Sequence, residues 1–464
     1  MELTLQNIGI IKKSKIKIKG LTVICGNNNS GKSTIGKALY ATIESLSNLE
    51  EKVYNELITN YRRTLANVSR LLDLDSVVRY VDFYRMQEVL QKDLSALLHI
   101  SMNHRLPIEF LDPVDLFVNL KEIVDFITPQ TLLDFSIKPK NDLPKKFFTF
   151  LDNYNDNRER ALTFLNGLDK YYFDRDLQVF AEKSVAALFN VEFNGQVYPI
   201  NLKSKEKKSS VLISKNDEIG SDFFLIEKKG INAKISNNKL FLHNAIYVED
   251  PYALDKIIDE NISMMYRYGN RLDYSHSAKL KRLLIEPKTN SIIEQSINQD
   301  RYYDIIRKIN DIIPGIITMR ESGMYYEETD KEPLRVQNLA TGSKMFSIIK
   351  TLLEKGEINF DTMLILDEPE AHLHPAWQNV FAEIIVLLVK ELGTNILLTT
   401  HSPNFLMALE AYSKKYELLE KANYYMGKHT DNYMVDYECV NGRISEIYSS
   451  FALPLVQVKK IKDE

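Results

Sequence analysis

The stretch Gly26-Asn27-Asn28-Asn29-Ser30-Gly31-Lys32-Ser33-Thr34 follows directly on the apolar run Leu21-Thr22-Val23-Ile24-Cys25. It matches the pattern GxxxxGK[ST], and the run before it is typical of a buried strand. The two glycines let the backbone curl so that its N–H groups point at phosphate oxygens, and a helix that begins here adds its positive end. Lys32 is then placed to bridge the β- and γ-phosphates of a nucleotide, and the Ser33 hydroxyl to bind Mg²⁺. The alternative, a glycine turn that matches by chance, is disfavoured by the strand in front of it.

A second apolar run, Met363-Leu364-Ile365-Leu366, ends in the carboxylates of Asp367 and Glu368. Ligands bind at the carboxyl ends of strands in open α/β sheets. Successive side chains of a strand point apart, so Asp367 can face a metal ion while Glu368 reaches a water molecule aligned on the γ-phosphate. An isolated Asp-Glu-Pro would also suit a solvated turn, but Lys32 favours the catalytic interpretation.

These two stretches lie too far apart for a minimal nucleotide-binding domain, so a large insertion is expected between them. The region after the first stretch has helical periodicity and five prolines, which exclude one long coiled coil. Short alternating runs follow, broken at turn residues such as Asn194-Gly195, as in antiparallel hairpins, and the last third alternates strand and helix. The expected division is a first half of the nucleotide-binding domain at 1–44, a helical insertion at 45–186, an antiparallel β subdomain at 187–253, a helical segment at 254–313 and a second half of the nucleotide-binding domain at 314–464.

The composition is that of a globular protein, with 464 residues, 44% hydrophobic and 26% charged. The net charge of −4 excludes an overall basic field, so any contact with nucleic acid must be local. Cys25 and Cys439 are too few for a disulfide framework or a cysteine-based zinc site. There is no secretory pattern at the start and no long apolar run, so the expected location is cytoplasmic, without a membrane span.

Further motifs follow the two carboxylates. Glu370-Ala371-His372-Leu373-His374-Pro375 comes next, and Leu397-Leu398-Thr399-Thr400-His401-Ser402-Pro403 stands one helix and one strand later. Here the chain resembles ABC-type ATPase heads of the AAA family, above all the OLD-like (overcoming lysogenisation defect) ATPases of anti-phage systems such as PARIS, Septu and the retron-associated systems, which are relatives of SMC and RecF repair proteins. The resemblance covers about the first forty residues and 338–406. It implies an α/β fold, an ABC-type P-loop ATPase head with an antiparallel β subdomain and a compact helical insertion.

The resemblance also assigns roles to residues. It places the D-loop on Ala371-His372-Leu373-His374 and the switch histidine on His401. His401 ends an apolar strand and can donate to a γ-phosphate oxygen, although a surface histidine before a turn is the alternative. A zinc pair at His372 and His374 is disfavoured because no cysteine and no third ligand accompanies them.

The stretch Asn338-Leu339-Ala340-Thr341-Gly342-Ser343-Lys344 stands where the family has its signature loop, which completes the active site of the opposite subunit. It departs from the usual LSGGQ, since Ala340 replaces the serine and Thr341 is left to supply the hydroxyl. Thr341, Gly342 and Ser343 are thus expected to bind nucleotide at a helix N-terminus. A plain helix cap would explain the same residues.

Two features remain open. The segment Tyr247-Val248-Glu249-Asp250-Pro251 stands where the glutamine loop belongs, and has either a nucleotide or interface role or none beyond a turn after a strand. The basic clusters at 12–19 and at Lys203, Lys205, Lys207 and Lys208 are either solvated faces or contacts for nucleic-acid phosphates.

The resemblance implies an enzyme that uses ATP and Mg²⁺ and closes as a homodimer, or within a higher oligomer, on two ATP molecules. Each site would combine Lys32, Ser33, Asp367, Glu368 and His401 with the signature loop of the other subunit. Such ATPases control a separately encoded nuclease or toxin in anti-phage defence. The alternative is a DNA-repair or chromosome clamp, which would show long heptad arms. A transporter ATPase would show a clear glutamine loop, and a full OLD nuclease would carry a TOPRIM domain, whereas about sixty residues follow His401 without a paired Asp-x-Asp.

Overall fold

The computed structural model forms two compact units, Met1–Ser47 with Ala181–Glu464 and Asn48–Phe180. We call them the head unit and the inserted unit. The second lies within the insertion expected at 45–186. The structure describes residues 1–91, 113–168, 177–199, 209–214, 222–227, 230–234, 244–257, 275–286, 303–320, 323–430 and 433–463.

The strands of the described head unit are β1 (Glu2–Ile8), β2 (Ile11–Lys17), β3 (Leu21–Cys25), β4 (Ser209–Ser214), β5 (Asp222–Glu227), β6 (Gly230–Lys234), β7 (Asn244–Val248), β8 (Ile316–Arg320), β9 (Gly323–Glu327), β10 (Leu334–Arg335), β11 (Thr362–Asp367), β12 (Asn395–Thr400), β13 (Ala422–His429) and β14 (Val435–Cys439). Eleven of them form one sheet in the order β6-β5-β4-β1-β2-β14-β13-β3-β12-β11-β7. The other three form a separate antiparallel sheet in the order β10-β9-β8.

The five strands β13, β3, β12, β11 and β7 run parallel, and their register brings the motifs to one edge. Thr400 pairs with Cys25, which precedes the glycine-rich loop, and Asp367 pairs with Thr399. Leu366 pairs with Val248 on the other side of β11. Because the carboxyl ends of parallel strands meet at the same edge, the loop, the carboxylates and His401 are neighbours.

The expected antiparallel subdomain at 187–253 needs two corrections. β7 is not one of its strands, because it pairs in parallel with β11. Four of the five residues of β7, Ala245 to Val248, are buried, as in a sheet covered on both faces. Asn194-Gly195 is not a hairpin turn, because it ends a helix: the Gly195 N–H donates to the Asn190 carbonyl at 2.8 Å, and both residues have positive φ. The antiparallel strands β4, β5 and β6 extend the head sheet through β1.

The head helices cover both faces of the sheet. Ile24 and Leu397 belong to one core cluster together with Ile35 of the helix after the loop, whereas Val23 and Leu398 belong to a second. This split follows from the alternation of side chains along a strand. The helices are α1 (Lys32–Leu46), α7 (Leu177–Glu192, which enters from the inserted unit), α8 (His276–Ile285), α9 (residues 303–310), α10 (Thr341–Glu354), α11 (Pro375–Leu392), α12 (Pro403–Lys415) and α13 (Ser445–Asp463).

The described part of the inserted unit consists of helices of 6 to 24 residues with a core of their own, which includes Leu65, Val68, Phe147 and Tyr154. Three of its prolines start helices instead of breaking them, since Pro113 and Pro129 are first residues and Pro144 is an N-cap. Its helices are α2 (Leu49–Leu72), α3 (Phe83–Leu90), α4 (Pro113–Phe126), α5 (Pro129–Asp134) and α6 (Lys145–Asn166). In the described parts of both units, no helix combines the length and the apolarity needed to cross a bilayer.

Candidate active site

The glycine-rich loop connects β3 to α1 and depends on both of its glycines. Gly31 has φ 84° at the N-cap of α1, and a Cβ there would lie 2.9 Å from Cγ1 of Ile10. A Cβ on Gly26 would lie 2.6 Å from Oγ of Ser30. No side chain caps the first turn of α1. The loop therefore leaves the N–H groups at a helix start for an anion.

Lys32 folds back over this loop. Its ammonium donates to the carbonyls of Gly26 and Asn27, both at 3.1 Å, and lies 3.0 Å from Oε1 of Glu368. The residue is only 5% exposed. Ser33 and Thr34 are half-buried in the first turn of α1. The buried ammonium is thus paired with a carboxylate and two carbonyls, as a buried charge requires, and it lies beside the helix start.

Behind the loop lies Tyr437 of β14, which sequence reasoning missed. Its hydroxyl lies 2.9 Å from Oγ of Ser30 and donates to the Ser30 carbonyl at 3.2 Å. Burial raises the pKa of Tyr437, so the phenol stays neutral. It thus braces the loop from the sheet side. The alternation of buried and accessible residues along β14 places Tyr437 on a buried face but does not identify Ser30 as its partner.

Asp367 at the end of β11 is 9% exposed and accepts two hydrogen bonds. The hydroxyl of Thr399 in β12 donates to Oδ1 in a short contact, and the hydroxyl of Tyr247 in β7 donates to Oδ2 at 3.1 Å. Burial, then the charge of Asp367, raises the pKa of Tyr247 well above its usual value. Both donors come from neighbouring strands, and sequence reasoning assigned neither of them to this carboxylate.

Glu368 leaves the strand with φ 45°, and its N–H donates to Oγ1 of Thr399 at 2.9 Å. Its Oε1 lies 3.0 Å from Nζ of Lys32 and 3.1 Å from Nδ1 of His401. Burial alone would raise the pKa of Glu368, but Lys32 and then His401 outweigh burial and lower it. The carboxylate is therefore ionised at neutral pH and able to accept a proton.

His401 follows β12, and its side chain is 44% exposed. The cap of the next helix is Ser402, whose Oγ accepts from the Phe405 N–H at 3.2 Å. Capping α12 is thus the role of Ser402, and the ring of His401 faces Glu368.

Glu370 directly precedes the expected D-loop and is 1% exposed. Its Oε1 accepts from the Thr400 hydroxyl at 2.5 Å, whereas its buried Oε2 has no hydrogen-bond partner among the described residues. Burial raises the pKa of Glu370 to about 7 against the opposing effect of the Thr400 bond. A buried carboxyl with one unsatisfied oxygen thus lies three residues beyond Asp367.

The expected signature stretch packs, through Gly342, against His372, Leu373 and Trp377 of the same chain. A Cβ on Gly342 would lie 3.2 Å from the His372 carbonyl and 3.3 Å from Cε3 of Trp377. The hydroxyls of Thr341 and Tyr252 lie 3.4 Å apart, and the Tyr252 ring meets the His372 ring edge-on at 5.8 Å. The N-cap residue of α10 is Ala340, whose side chain cannot cap the helix. Gly342 and Ser343 are buried, so the accessible part of this stretch runs from Asn338 to Thr341.

The remaining sequence candidates have other surroundings. His374 caps α11, its Nδ1 accepting from the Ala376 N–H at 3.3 Å, and the described residues contain no cluster of three metal-ligating side chains. Glu249, in the expected glutamine-loop segment, lies 3.1 Å from Nζ of Lys37. The lysines of β2 are exposed, and Lys15 pairs with Glu2 at 2.8 Å. Lys203, Lys205, Lys207 and Lys208 lie outside the described residues.

Comparison with known proteins identifies a family to which this chain is similar. Residues 1–406 match the family model described as AAA ATPase domain. The chain is 25% identical over 219 residues to the Old nuclease of Escherichia phage P2, covering 45% of this chain and 34% of the nuclease. It therefore spans about a third of the length of that curated relative.

Solved structures add only distant likenesses. The SMC head domain from Thermotoga maritima is 10% identical with a TM-score of 0.35, covering 95% of this chain and 98% of that one. The Smc head domain with an extended coiled coil, bound to the C-terminal domain of ScpA and derived from Pyrococcus furiosus, is 10% identical with a TM-score of 0.37, covering 97% and 98%. The family match, in contrast, spans most of the sequence. The chain therefore belongs to the AAA ATPase domain family and carries its ATPase domain on residues 1–406.

Proposed function

We propose that the head unit binds ATP with Mg²⁺ and hydrolyses it with Glu368 as the general base. One observation carries the proposal: Lys32, Glu368 and His401 converge within 3.1 Å at the carboxyl edge of the parallel strands, beside an uncapped helix start. A phosphate-binding cation, an ionised carboxylate and a ring donor are the groups that phosphoryl transfer to water requires.

The described residues fit the nucleotide and its metal. The curled loop presents Lys32 and the N–H groups of α1 to phosphates. Ser33 and Asp367 offer a hydroxyl and a carboxylate, the hard oxygen ligands that Mg²⁺ prefers. When bound, Mg²⁺ would neutralise charge on the phosphates. Glu368 would take the proton from water, Lys32 would hold the phosphates, and His401 would orient Glu368 and donate to the γ-phosphate.

The same proposal includes a homodimer, or a higher oligomer, in which Thr341, Gly342 and Ser343 of one subunit complete the site of the other. The uncapped start of α10 supports it, because those N–H groups suit a phosphate. The contact between this helix and the D-loop gives both one shared surface. ATP would then hold two heads together, and hydrolysis would release them.

We further propose that this cycle controls a separately encoded nuclease or toxin in anti-phage defence, from the cytoplasm. The described inserted unit has a core that ATP handling does not use, so its surface is free for a partner whose affinity differs between nucleotide states. The described helices of the inserted unit, which have at most 24 residues and begin at prolines in three cases, favour this over the alternative of a DNA-repair or chromosome clamp with long arms. Contact of the lysines of β2 with nucleic acid is part of that alternative.

Subunit mixing tests the composite site. Lys32→Ala should abolish ATPase activity by removing the phosphate-binding cation, and Gly342→Asp by placing a carboxylate at the α10 start. A mixture should recover activity, because one of the two sites in the heterodimer is then unaltered in both halves. Heterodimers that form but stay inactive at every ratio would refute the composite site, and unchanged ATP affinity in Lys32→Ala would refute the loop assignment.

Affinity purification tests the effector. A tagged Glu368→Gln chain, expressed with its native neighbouring genes, should retain a companion protein more strongly than a tagged Lys32→Ala chain. If neither form retains one, and the purified chain alone degrades nucleic acid, the effector lies within this chain and the control function is wrong.

A further inference from the structure

Tyr247 is a buried phenol whose hydroxyl reaches the carboxylate expected to bind Mg²⁺. It is 1% exposed and donates to Oδ2 of Asp367 at 3.1 Å, while Thr399 donates to Oδ1. The two donors come from β7 and β12, the strands on either side of β11. Each oxygen of Asp367 therefore has one protein donor, and together they fix the plane of the carboxylate.

A glycine in α1 makes room for this hydroxyl. Gly36 lies one turn after Ser33, and a Cβ there would lie 3.3 Å from both Oη and Cζ of Tyr247 and 3.2 Å from Cγ2 of Ile365. These distances are tighter than ordinary contacts for a Cβ. A glycine inside a helix costs about 0.5–1 kcal/mol relative to alanine. The approach of the phenol to α1 gives a reason for keeping it.

The ring of Tyr247 is held by His276, the first residue of α8. The two ring centroids lie 4.5 Å apart with planes tilted by 34°. His276 is itself clamped, because its N–H and Nδ1 lie 2.8 and 2.6 Å from the Glu192 carboxylate and its Nε2 lies 3.2 Å from Oε2 of Glu249. Burial opposes the charged ring, but Glu192 and Glu249 raise the pKa of His276 to about 9. The imidazolium thus donates from both nitrogens.

We propose that Tyr247 is a positioning residue for the Mg²⁺ site: its hydroxyl orients Asp367, and His276, clamped by Glu192 and Glu249, fixes the phenol. This rests on the proposed function. A metal ligand whose outer partner is removed typically loses 10- to 100-fold in metal affinity or activity. Glu192 ends α7, so this chain of contacts runs from the last residue of that helix to the proposed metal ligand.

Tyr247→Phe tests this directly, because it keeps the ring and removes only the hydroxyl. Mn²⁺ binding in the presence of a non-hydrolysable ATP analogue, followed by electron paramagnetic resonance, should weaken about 10-fold or more. Affinity for the analogue without metal should stay the same. The matched control is Tyr424→Phe, which removes a phenol 2% exposed in β13, across β3 from the site, and should change neither quantity.

Two further variants keep the proposal open to refutation. Gly36→Ala should weaken Mn²⁺ binding in the same direction by crowding the hydroxyl. His276→Gln should weaken it less, and should add nothing to Tyr247→Phe, since His276 acts through the phenol. Wild-type Mn²⁺ affinity in Tyr247→Phe, or full additivity with His276→Gln, would overturn the proposal. A wild-type chain that binds neither analogue nor Mn²⁺ would instead refute the nucleotide site itself.

Discussion

Two parts of the head unit are expected to meet ATP, and they are held in place differently. Lys32 and His401 each contact Oε1 of Glu368, at 3.0 and 3.1 Å. The start of α10 is held by packing, with Gly342 against the backbone of His372 and the ring of Trp377. A site held by an ion pair is sensitive to a substitution that changes charge, whereas a site held by packing is sensitive to a substitution that changes side-chain volume. The cluster of Lys32, Glu368 and His401 and the expected signature stretch should therefore lose their function through different kinds of substitution.

The largest effect is expected from removing charge in the cluster. Glu368→Gln keeps the size of the side chain but cannot accept a proton from water, so the single-turnover rate of ATP hydrolysis should fall ~10²- to 10⁴-fold. ATP binding should persist. Glu391→Gln, an exposed carboxylate at the end of α11, is the matched control and should hydrolyse at the wild-type rate. A normal rate in Glu368→Gln would mean that another group is the base.

Glu370 lies two residues after Glu368 and two before His372, and the effect of replacing it should depend on pH. The pKa of its carboxyl is about 7 in the folded chain against 4.5 as the ordinary value. The folded state therefore binds more protons in this interval, and the free energy of unfolding falls as pH rises from about 4.5 to 7, by up to about 3 kcal/mol.

Glu370→Gln should remove that dependence, so denaturant unfolding of the variant should differ less between pH 5 and pH 8 than that of the wild type. Equal pH dependence in both chains would show that Glu370 ionises normally.

The smallest effect is expected where packing holds the site. Gly342→Ala places a methyl group 3.2 Å from the His372 carbonyl and from Cδ2 of Leu373. Overpacking costs about 1 kcal/mol or more, which corresponds to roughly a fivefold change in rate if it displaces the D-loop. ATP affinity of the isolated subunit should not change. A fall in affinity equal to the fall in rate would place Gly342 within its own subunit's site.

Sequence reasoning predicted those parts of the candidate site that are local in the chain. The glycine loop and the Asp367-Glu368 pair each follow an apolar strand, and the structure places both at the carboxyl edge of the sheet. It missed the roles of Tyr247, Thr399 and Tyr437, because their partners are set by strand order and register, which distant segments decide. The error over β7 has the same origin, since a short buried run does not reveal whether its neighbour is parallel or antiparallel.

The pairing of β3 also has a consequence for how the chain folds. The strand that carries the loop pairs with β12, where Ile24 meets Thr399, and with β13, where Ile24 meets Tyr425. Both partners are synthesised hundreds of residues later, whereas the contacts of the inserted unit are local by comparison. Long-range pairing is slow because the closure of a large loop must come first. During synthesis the inserted unit can thus form early, whereas β3 stays without its two neighbouring strands until the last third of the chain has been made, so the candidate site is among the last parts of the protein to form.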